Sequence, residues 1–132
     1  DIVCCTIDVK SDLLTYAGAN RPLFIERKKK LLEFKPDKVS IGGIEEREIK
    51  FNNQVIPTKS GDRVFLLSDG YADQFSEETD KKITMKRLKE LFIQSASLPI
   101  QEQKHFISNF FEKWKGKTEQ VDDVLLMCIQ IP

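Results

Sequence analysis

Over the first half of the chain the hydrophobic residues form short, dense groups, and over much of the second they recur three and four positions apart, a pattern that predicts strands followed by helices. Ile2-Val3-Cys4-Cys5-Thr6-Ile7 is rich in β-branched and small apolar side chains and carries no helix start signal. Leu13-Leu14-Thr15-Tyr16-Ala17 follows it across the polar Lys10-Ser11-Asp12, so the two segments read as a hairpin. Leu23-Phe24-Ile25 and Leu31-Leu32-Glu33-Phe34 flank Arg27-Lys28-Lys29-Lys30, which reads as a second hairpin with a solvated tip. After the breaks at Pro36-Asp37 and Gly42-Gly43, the alternation through Ile49-Lys50-Phe51 predicts a strand with one wet face, and Val55-Ile56 leads on to a turn at Ser60-Gly61-Asp62. Arg63-Val64-Phe65-Leu66-Leu67 is apolar on successive positions, the pattern of a strand covered on both faces, and it stops abruptly at Ser68-Asp69-Gly70.

The period then changes. Met85, Leu88, Leu91 and Phe92 have the spacing of an amphipathic helix, with basic residues between them. A second helix starts near Pro99, carries Phe106, Ile107, Phe110, Phe111 and Trp114 on one broad stripe, and ends at Gly116. Val124 to Ile131 is a last strand, entered through Val121-Asp122-Asp123. Strands grouped first and helices grouped later predict an α+β domain of antiparallel sheets with two C-terminal helices. With no internal repeat, low-complexity stretch or linker, residues 1–132 read as one domain. Nothing before Met85 has helical periodicity, so one face of the sheet system is expected to lack a helical layer.

Composition narrows the partners. The balance of 21 Lys+Arg against 21 Asp+Glu leaves no basic footprint for nucleic acid. No apolar run approaches the roughly 20 residues that span a bilayer, and the N-terminus lacks a signal-peptide pattern. Three cysteines, with Cys4 and Cys5 adjacent, make a disulfide framework a poor reading, and one histidine leaves too few soft ligands for zinc. Buried or half-buried thiols in a reducing, cytoplasmic setting are expected.

Two acidic sites sit where an apolar strand meets a turn: Asp69 at the end of one strand, and Asp122 with Asp123 at the start of another. If these strands are antiparallel neighbours, the end of one lies beside the beginning of the other, and Asp69 and Asp122 face each other across a short gap. Carboxylates brought together repel, and a hard divalent cation relieves the repulsion; magnesium and manganese take such oxygens. Other readings stand beside this one. Asp-Gly is also turn chemistry, and Asp-Asp before a strand also guards an edge against aggregation.

Other chemistry finds less support. His105, the lone histidine, falls on a helix and reads as a surface or half-buried residue rather than a base. The cysteines lie inside apolar strands, and none has an arginine at cysteine-phosphatase spacing. Gly42-Gly43 is too short for a phosphate cradle. Tyr71 and Phe75 read as packing for the loop after Asp69-Gly70. No side-chain nucleophile and no organic cofactor site is expected.

Four segments in order resemble the C-terminal part of the SpoIIE-like serine/threonine phosphatases, a bacterial branch of the type 2C metal-dependent protein phosphatases. They are Leu14-Thr15-Tyr16-Ala17-Gly18-Ala19-Asn20-Arg21-Pro22, Ile41-Gly42-Gly43, Gly61-Asp62-Arg63-Val64-Phe65-Leu66-Leu67-Ser68-Asp69-Gly70 and Asp122-Asp123-Val124-Leu125-Leu126. The resemblance implies a partial α-β-β-α sandwich lacking its N-terminal part. It also implies that Asp69 and Asp122 bind catalytic Mn2+ or Mg2+, two ions in the intact domain. The reaction so implied is hydrolysis of phosphoserine or phosphothreonine in a protein substrate, with water activated by two ions about 3.5–4 Å apart and no covalent phosphoenzyme. Its partners would be that phosphoprotein and an upstream sensor region of the same parent chain.

Departures from the family pattern matter as well. The family's N-terminal part carries a further metal-binding aspartate followed by glycine; Asp1 has no such glycine and is not carried over as a ligand. Ala19 stands where many members have histidine, and Leu125 where threonine or serine is common. With two acids in place of a full set, weak metal binding and slow or absent hydrolysis are expected of these 132 residues alone. Self-association through an uncovered face is a further expectation. Three readings compete: an enzyme portion, a phosphatase-like module kept for partner binding or dimerisation, and a structural role in which both acids are caps or edge guards.

Overall fold

A computed structural model describes residues 1–42 and 50–132 of the chain. The strands are β1 (Ile2–Asp8), β2 (Leu13–Ala19), β3 (Leu23–Arg27), β4 (Lys30–Phe34), β5 (Gln54–Pro57), β6 (Arg63–Leu67) and β7 (Leu126–Gln130). The helices α1 (Gly70–Asp73), α2 (Thr84–Gln94) and α3 (Ile100–Lys115) lie between β6 and β7 in the chain. Two antiparallel sheets result, one in the order β1-β2-β5 and one in the order β4-β3-β6-β7. The fold is α+β, as expected.

Alternation along the central strands explains the layering. On β3, Phe24 joins a core shared with the helices, while Leu23 and Ile25 join a second core between the sheets. On β6, Phe65 and Leu67 face the helices and Val64 faces the other sheet. These strands are apolar on both faces because each face meets a different core.

The helix-side core comprises Phe24, Phe65, Leu67, Tyr71, Ile83, Leu88, Leu91, Phe92, Ile107 and Phe111. Phe92 of α2 stacks on Phe65 with ring centroids 4.0 Å apart. A buried polar chain ties the layer together: Arg63 donates to Gln103 Oε1 at 3.0 Å, Gln103 Nε2 donates to Ser95 Oγ at 3.1 Å, and that hydroxyl donates to the Leu91 carbonyl at 2.7 Å. Every link has a partner, which is the condition under which buried polar groups specify packing rather than weaken it.

No helix covers the outer face of the β1-β2-β5 sheet among the described residues. β1 alternates strictly between exposed and half-buried positions, with Val3, Cys5 and Ile7 turned to the inter-sheet core. Ile2, Leu13 and Val55 are exposed. The described layers therefore run helix, sheet, sheet, and the expected uncovered face is this one.

Several details differ from the sequence reading. Lys50 to Asn53 have no regular structure and the strand starts at Gln54, while Gly43 and Ile49, part of the predicted turn and strand, lie outside the described residues. The segment after Asp69 forms the short helix α1, and Tyr71 reaches the core rather than merely packing a loop; its hydroxyl donates to the Ile107 carbonyl at 2.7 Å. The buried line of α3 runs through Gln103, Ile107 and Phe111, four residues apart, and leaves Phe106 exposed. Cys4 is exposed rather than buried, because adjacent strand residues point to opposite faces and Cys5 takes the inner one. The final strand is shorter than Val124–Ile131. No helix among the described residues is long and apolar enough to cross a membrane.

Candidate functional site

β6 and β7 are antiparallel neighbours, with Leu67 opposite Leu126, so the end of β6 lies beside the approach to β7. Asp69 leaves the first strand and Asp122 precedes the second, which brings the two acidic segments to one rim of the four-stranded sheet.

Ser68 fastens them. Its amide donates to the Leu125 carbonyl at 2.9 Å, its hydroxyl donates to the Asp123 carbonyl at 2.8 Å, and the Leu125 amide donates back to that hydroxyl at 2.9 Å. Gly70 then allows the closest approach. A Cβ at this position would run into the Asp123 carbonyl oxygen and lie 3.2 Å from the Asp122 carbonyl oxygen. The glycine after Asp69 is thus required by contact with the opposing main chain and not by a turn conformation. Asp122 is exposed, and its Oδ1 accepts the Asp123 amide at 2.7 Å.

A third segment reaches the same rim. Arg21 NH2 lies 2.5 Å from Asp69 Oδ2 and 3.1 Å from Asp1 Oδ2, so one guanidinium joins both carboxylates. That hydrogen bond is the main reason the Asp69 carboxyl is held below the usual carboxylate range.

The loop presenting Arg21 is tightly tied. The hydroxyl of Tyr16, a fully buried residue, donates to the Arg21 carbonyl at 2.7 Å, and burial, with the Asp37 charge adding to it, pushes that phenol up to about 12. Asn20 adopts a left-handed backbone with φ 58°, its amide donates to the Asp37 carbonyl at 2.9 Å, and its side-chain amide donates to Asp1 Oδ1 at 2.9 Å. Pro22 further restricts Arg21 to extended backbone.

The structure brings together the strand ends that carry Asp69 and Asp122. It adds Arg21, Asn20 and Ser68, whose roles depend on partners up to 57 positions away in sequence and follow no periodicity. His105 is exposed on α3, away from these contacts.

Carboxylate oxygens are the right donors for Mn2+ or Mg2+ in kind. They fall short in number: among the described residues no group of three or more His, Cys, Asp or Glu side chains could hold a metal ion. The residues present suit part of a divalent-cation site.

The family model described as Stage II sporulation protein E (SpoIIE) matches residues 1–132. The chain belongs to the SpoIIE family, the class to which its ordered motifs and sheet pair point. A search of curated proteins returned no significant match. Among solved structures, the chain is similar to the SiaA-PP2C domain of Pseudomonas aeruginosa, with a TM-score of 0.87 and 22% identity over 98% of this chain and 51% of that one. It is also similar to the phosphatase domain of the cell fate determinant SpoIIE from Bacillus subtilis, with a TM-score of 0.66 and 17% identity over 98% and 57% of the two chains. The RsbU and RsbW domains of Rv1364c from Mycobacterium tuberculosis match with a TM-score of 0.76 and 17% identity, over 97% and 35%. These likenesses show a shared fold, and the chain spans about half the length of the first of these structures.

Proposed function

We propose that these residues form the C-terminal portion of a metal-dependent serine/threonine protein phosphatase acting in bacterial cytoplasmic signalling. The observation that carries the reading is the rim itself, where the Ser68 hydrogen bonds and the Gly70 contact hold the segments bearing Asp69 and Asp122 together. Membership of the SpoIIE family supports it.

In this reading Asp69 and Asp122 offer carboxylate oxygens to Mn2+ or Mg2+, Ser68 fixes the spacing of their main chains, and the Tyr16-pinned loop brings Arg21 against Asp69. A bound divalent ion supplies positive charge for phosphoryl oxygens and lowers the pKa of water. The substrate is a protein carrying phosphoserine or phosphothreonine, and an upstream sensor region of the parent chain is a second partner. Exposed Ile2, Leu13 and Val55 support contact through the outer sheet face, including self-association.

Among the described residues too few acidic groups meet to hold a metal ion, and this favours a second reading, a non-catalytic module that retains the fold for partner binding or dimerisation. Thermal unfolding with rising Mn2+ separates the two, because a ligand of the native state raises its apparent stability by mass action. The first reading expects a small rise in midpoint for the wild-type chain that disappears in Asp69→Asn and Asp122→Asn, with little or no turnover of para-nitrophenyl phosphate by these residues alone. A wild-type midpoint indifferent to Mn2+ would sink it.

A further inference from the structure

A cavity of about 320 Å3 opens at the end of the four-stranded sheet opposite the rim, where the β3–β4 tip meets the turn between β5 and β6. Five basic residues line it, Arg27, Lys28, Lys29, Lys59 and Arg63, against two carboxylates, Glu26 and Asp62. Both carboxylates are engaged: Asp62 accepts Arg27 NH2 at 2.6 Å and the Lys59 amide at 2.9 Å, and Glu26 accepts the Lys29 amide at 2.6 Å. The wall is left with an excess of positive charge.

Two further observations set this cavity apart from an ordinary solvated tip. Arg63 is only 9% exposed, yet its guanidinium donates to neutral oxygens, the Ala96 carbonyl at 3.3 Å, the Leu98 carbonyl at 2.7 Å and Gln103 Oε1 at 3.0 Å. Glu26 is its cross-strand neighbour and, among the described residues, makes no ion pair with it. Charges so deeply buried are normally paired. In addition, Lys28 and Lys29 hold left-handed backbone, φ 50° and 63°, in a two-residue turn whose geometry favours Asn-Gly. Lysine at both positions gives up stability and places two ammonium groups on the cavity wall.

Ammonium and guanidinium groups donate and do not accept, so their complement is an oxyanion with several acceptor oxygens and more than one negative charge. Among the described residues no aromatic side chain lines the wall, which leaves nothing for a base to stack on. The volume is at the small end for a ligand pocket. We propose that this cavity binds a compact polyphosphate anion of diphosphate size, held by Lys28, Lys29 and Lys59 with the charge of Arg63 behind them. The bound anion ties the β3–β4 hairpin of one sheet to the crossover that arrives from the other. Arg63 and Leu67, the two ends of β6, are about 13 Å apart along an extended strand, so the site is separate from Asp69 and needs no metal.

The test is titration of the 132-residue chain with inorganic diphosphate at fixed ionic strength and without divalent cations, read by calorimetry and by amide chemical shifts. Saturable binding is expected, with shifts centred on residues 27–29 and 59–63 and none at 68–70 or 121–124. Lys59→Gln should weaken it about threefold, and Lys28→Asn combined with Lys29→Gly about tenfold. The double variant suits its turn, and Lys59→Gln keeps a second arm should that turn rearrange. Lys113→Gln, exposed on α3 and away from the cavity, should bind as wild type does. Orthophosphate should bind about tenfold more weakly than diphosphate, and ATP no more tightly than inorganic triphosphate.

No binding by wild type, shifts spread over all exposed lysines, or equal weakening by Lys113→Gln and Lys59→Gln would overturn the inference, since each describes charge without a site. Shifts centred on the rim would place the anion at the other end of the sheet and overturn it too. Orthophosphate binding as tightly as diphosphate, or ATP far more tightly than triphosphate, would contradict the ligand class.

Discussion

Gly70→Ala is the most discriminating single change at the rim, because two physical effects push stability in opposite directions. Gly70 is the first residue of α1 and is buried. In a helix with free space around it, alanine for glycine stabilises by about 0.5–1 kcal/mol through lower backbone entropy in the unfolded chain. Here the added Cβ overlaps the Asp123 carbonyl oxygen and lies 2.9 Å from the carbonyl carbon. Both obstacles are main-chain atoms, so no rotamer change relieves them, and overpacking of this kind costs about 1–3 kcal/mol. The clash outweighs the entropy gain, leaving a net loss of about 1–2 kcal/mol, or roughly 4 °C per kcal/mol in a domain of this size. Urea unfolding followed by tryptophan fluorescence at Trp114 measures it, and amide chemical-shift changes should centre on Asp122 to Leu125. A variant as stable as wild type, or more stable, would show that the two acidic segments do not meet at Gly70.

Other consequences follow from neighbouring contacts. Asp62, only 2% exposed, accepts Arg27 Nε at 2.8 Å, Arg27 NH2 at 2.6 Å and the Lys59 amide at 2.9 Å. Asp62→Ala strands all three donors, and because Arg27 still reaches water the expected cost in urea unfolding is about 2–3 kcal/mol; a cost under about 1 kcal/mol would contradict this. Lys28 and Lys29 both take left-handed backbone, with φ 50° and 63°, at the β3–β4 hairpin tip. Replacing them by Asn-Gly relieves conformations that non-glycine residues resist and should stabilise the chain by about 1 kcal/mol in the same assay. The Asp69 carboxyl is held low chiefly by its hydrogen bond to Arg21, so the stability it contributes is present above the unfolded carboxylate value near 4 and is lost as pH falls through the folded value. The stability gap between wild type and Arg21→Gln should therefore be constant from about pH 6 to 7 and close in acid; a gap that widens in acid reverses the sign of the argument.

Much of the fold is legible in the sequence where one period dominates. The β1–β2 and β3–β4 hairpins, the doubly buried β6 and both long helices follow from spacing two, from unbroken apolar runs and from spacing three and four. The pairing of β6 with β7 was available only as a condition, since spacing does not report which strands meet. Helix α1 is not legible in the sequence, because four residues are about one turn and show no period. Spacing and hydrophobicity together place Phe106 on the broad stripe of α3. The helix instead turns Gln103 inward, where Arg63 and Ser95 satisfy its amide, and that rotation carries Phe106 to the surface. At the rim, the carboxylates were visible as acids at strand ends. Arg21 was not, because a loop arginine 48 residues from Asp69 reveals its partner only when the Tyr16 and Asn20 contacts that aim it are in place.

Paramagnetic broadening by Mn2+ in the amide spectrum of the isotope-labelled chain reads the cation's position residue by residue, even when binding is weak. Substoichiometric Mn2+ should bleach amides 68–70 and 121–124 first, with Arg21 and the chain start next and the Lys28–Lys29 tip untouched. Broadening centred elsewhere, or spread evenly over the exposed acidic side chains, would mean that the ends of β6 and β7 share a rim without sharing an ion.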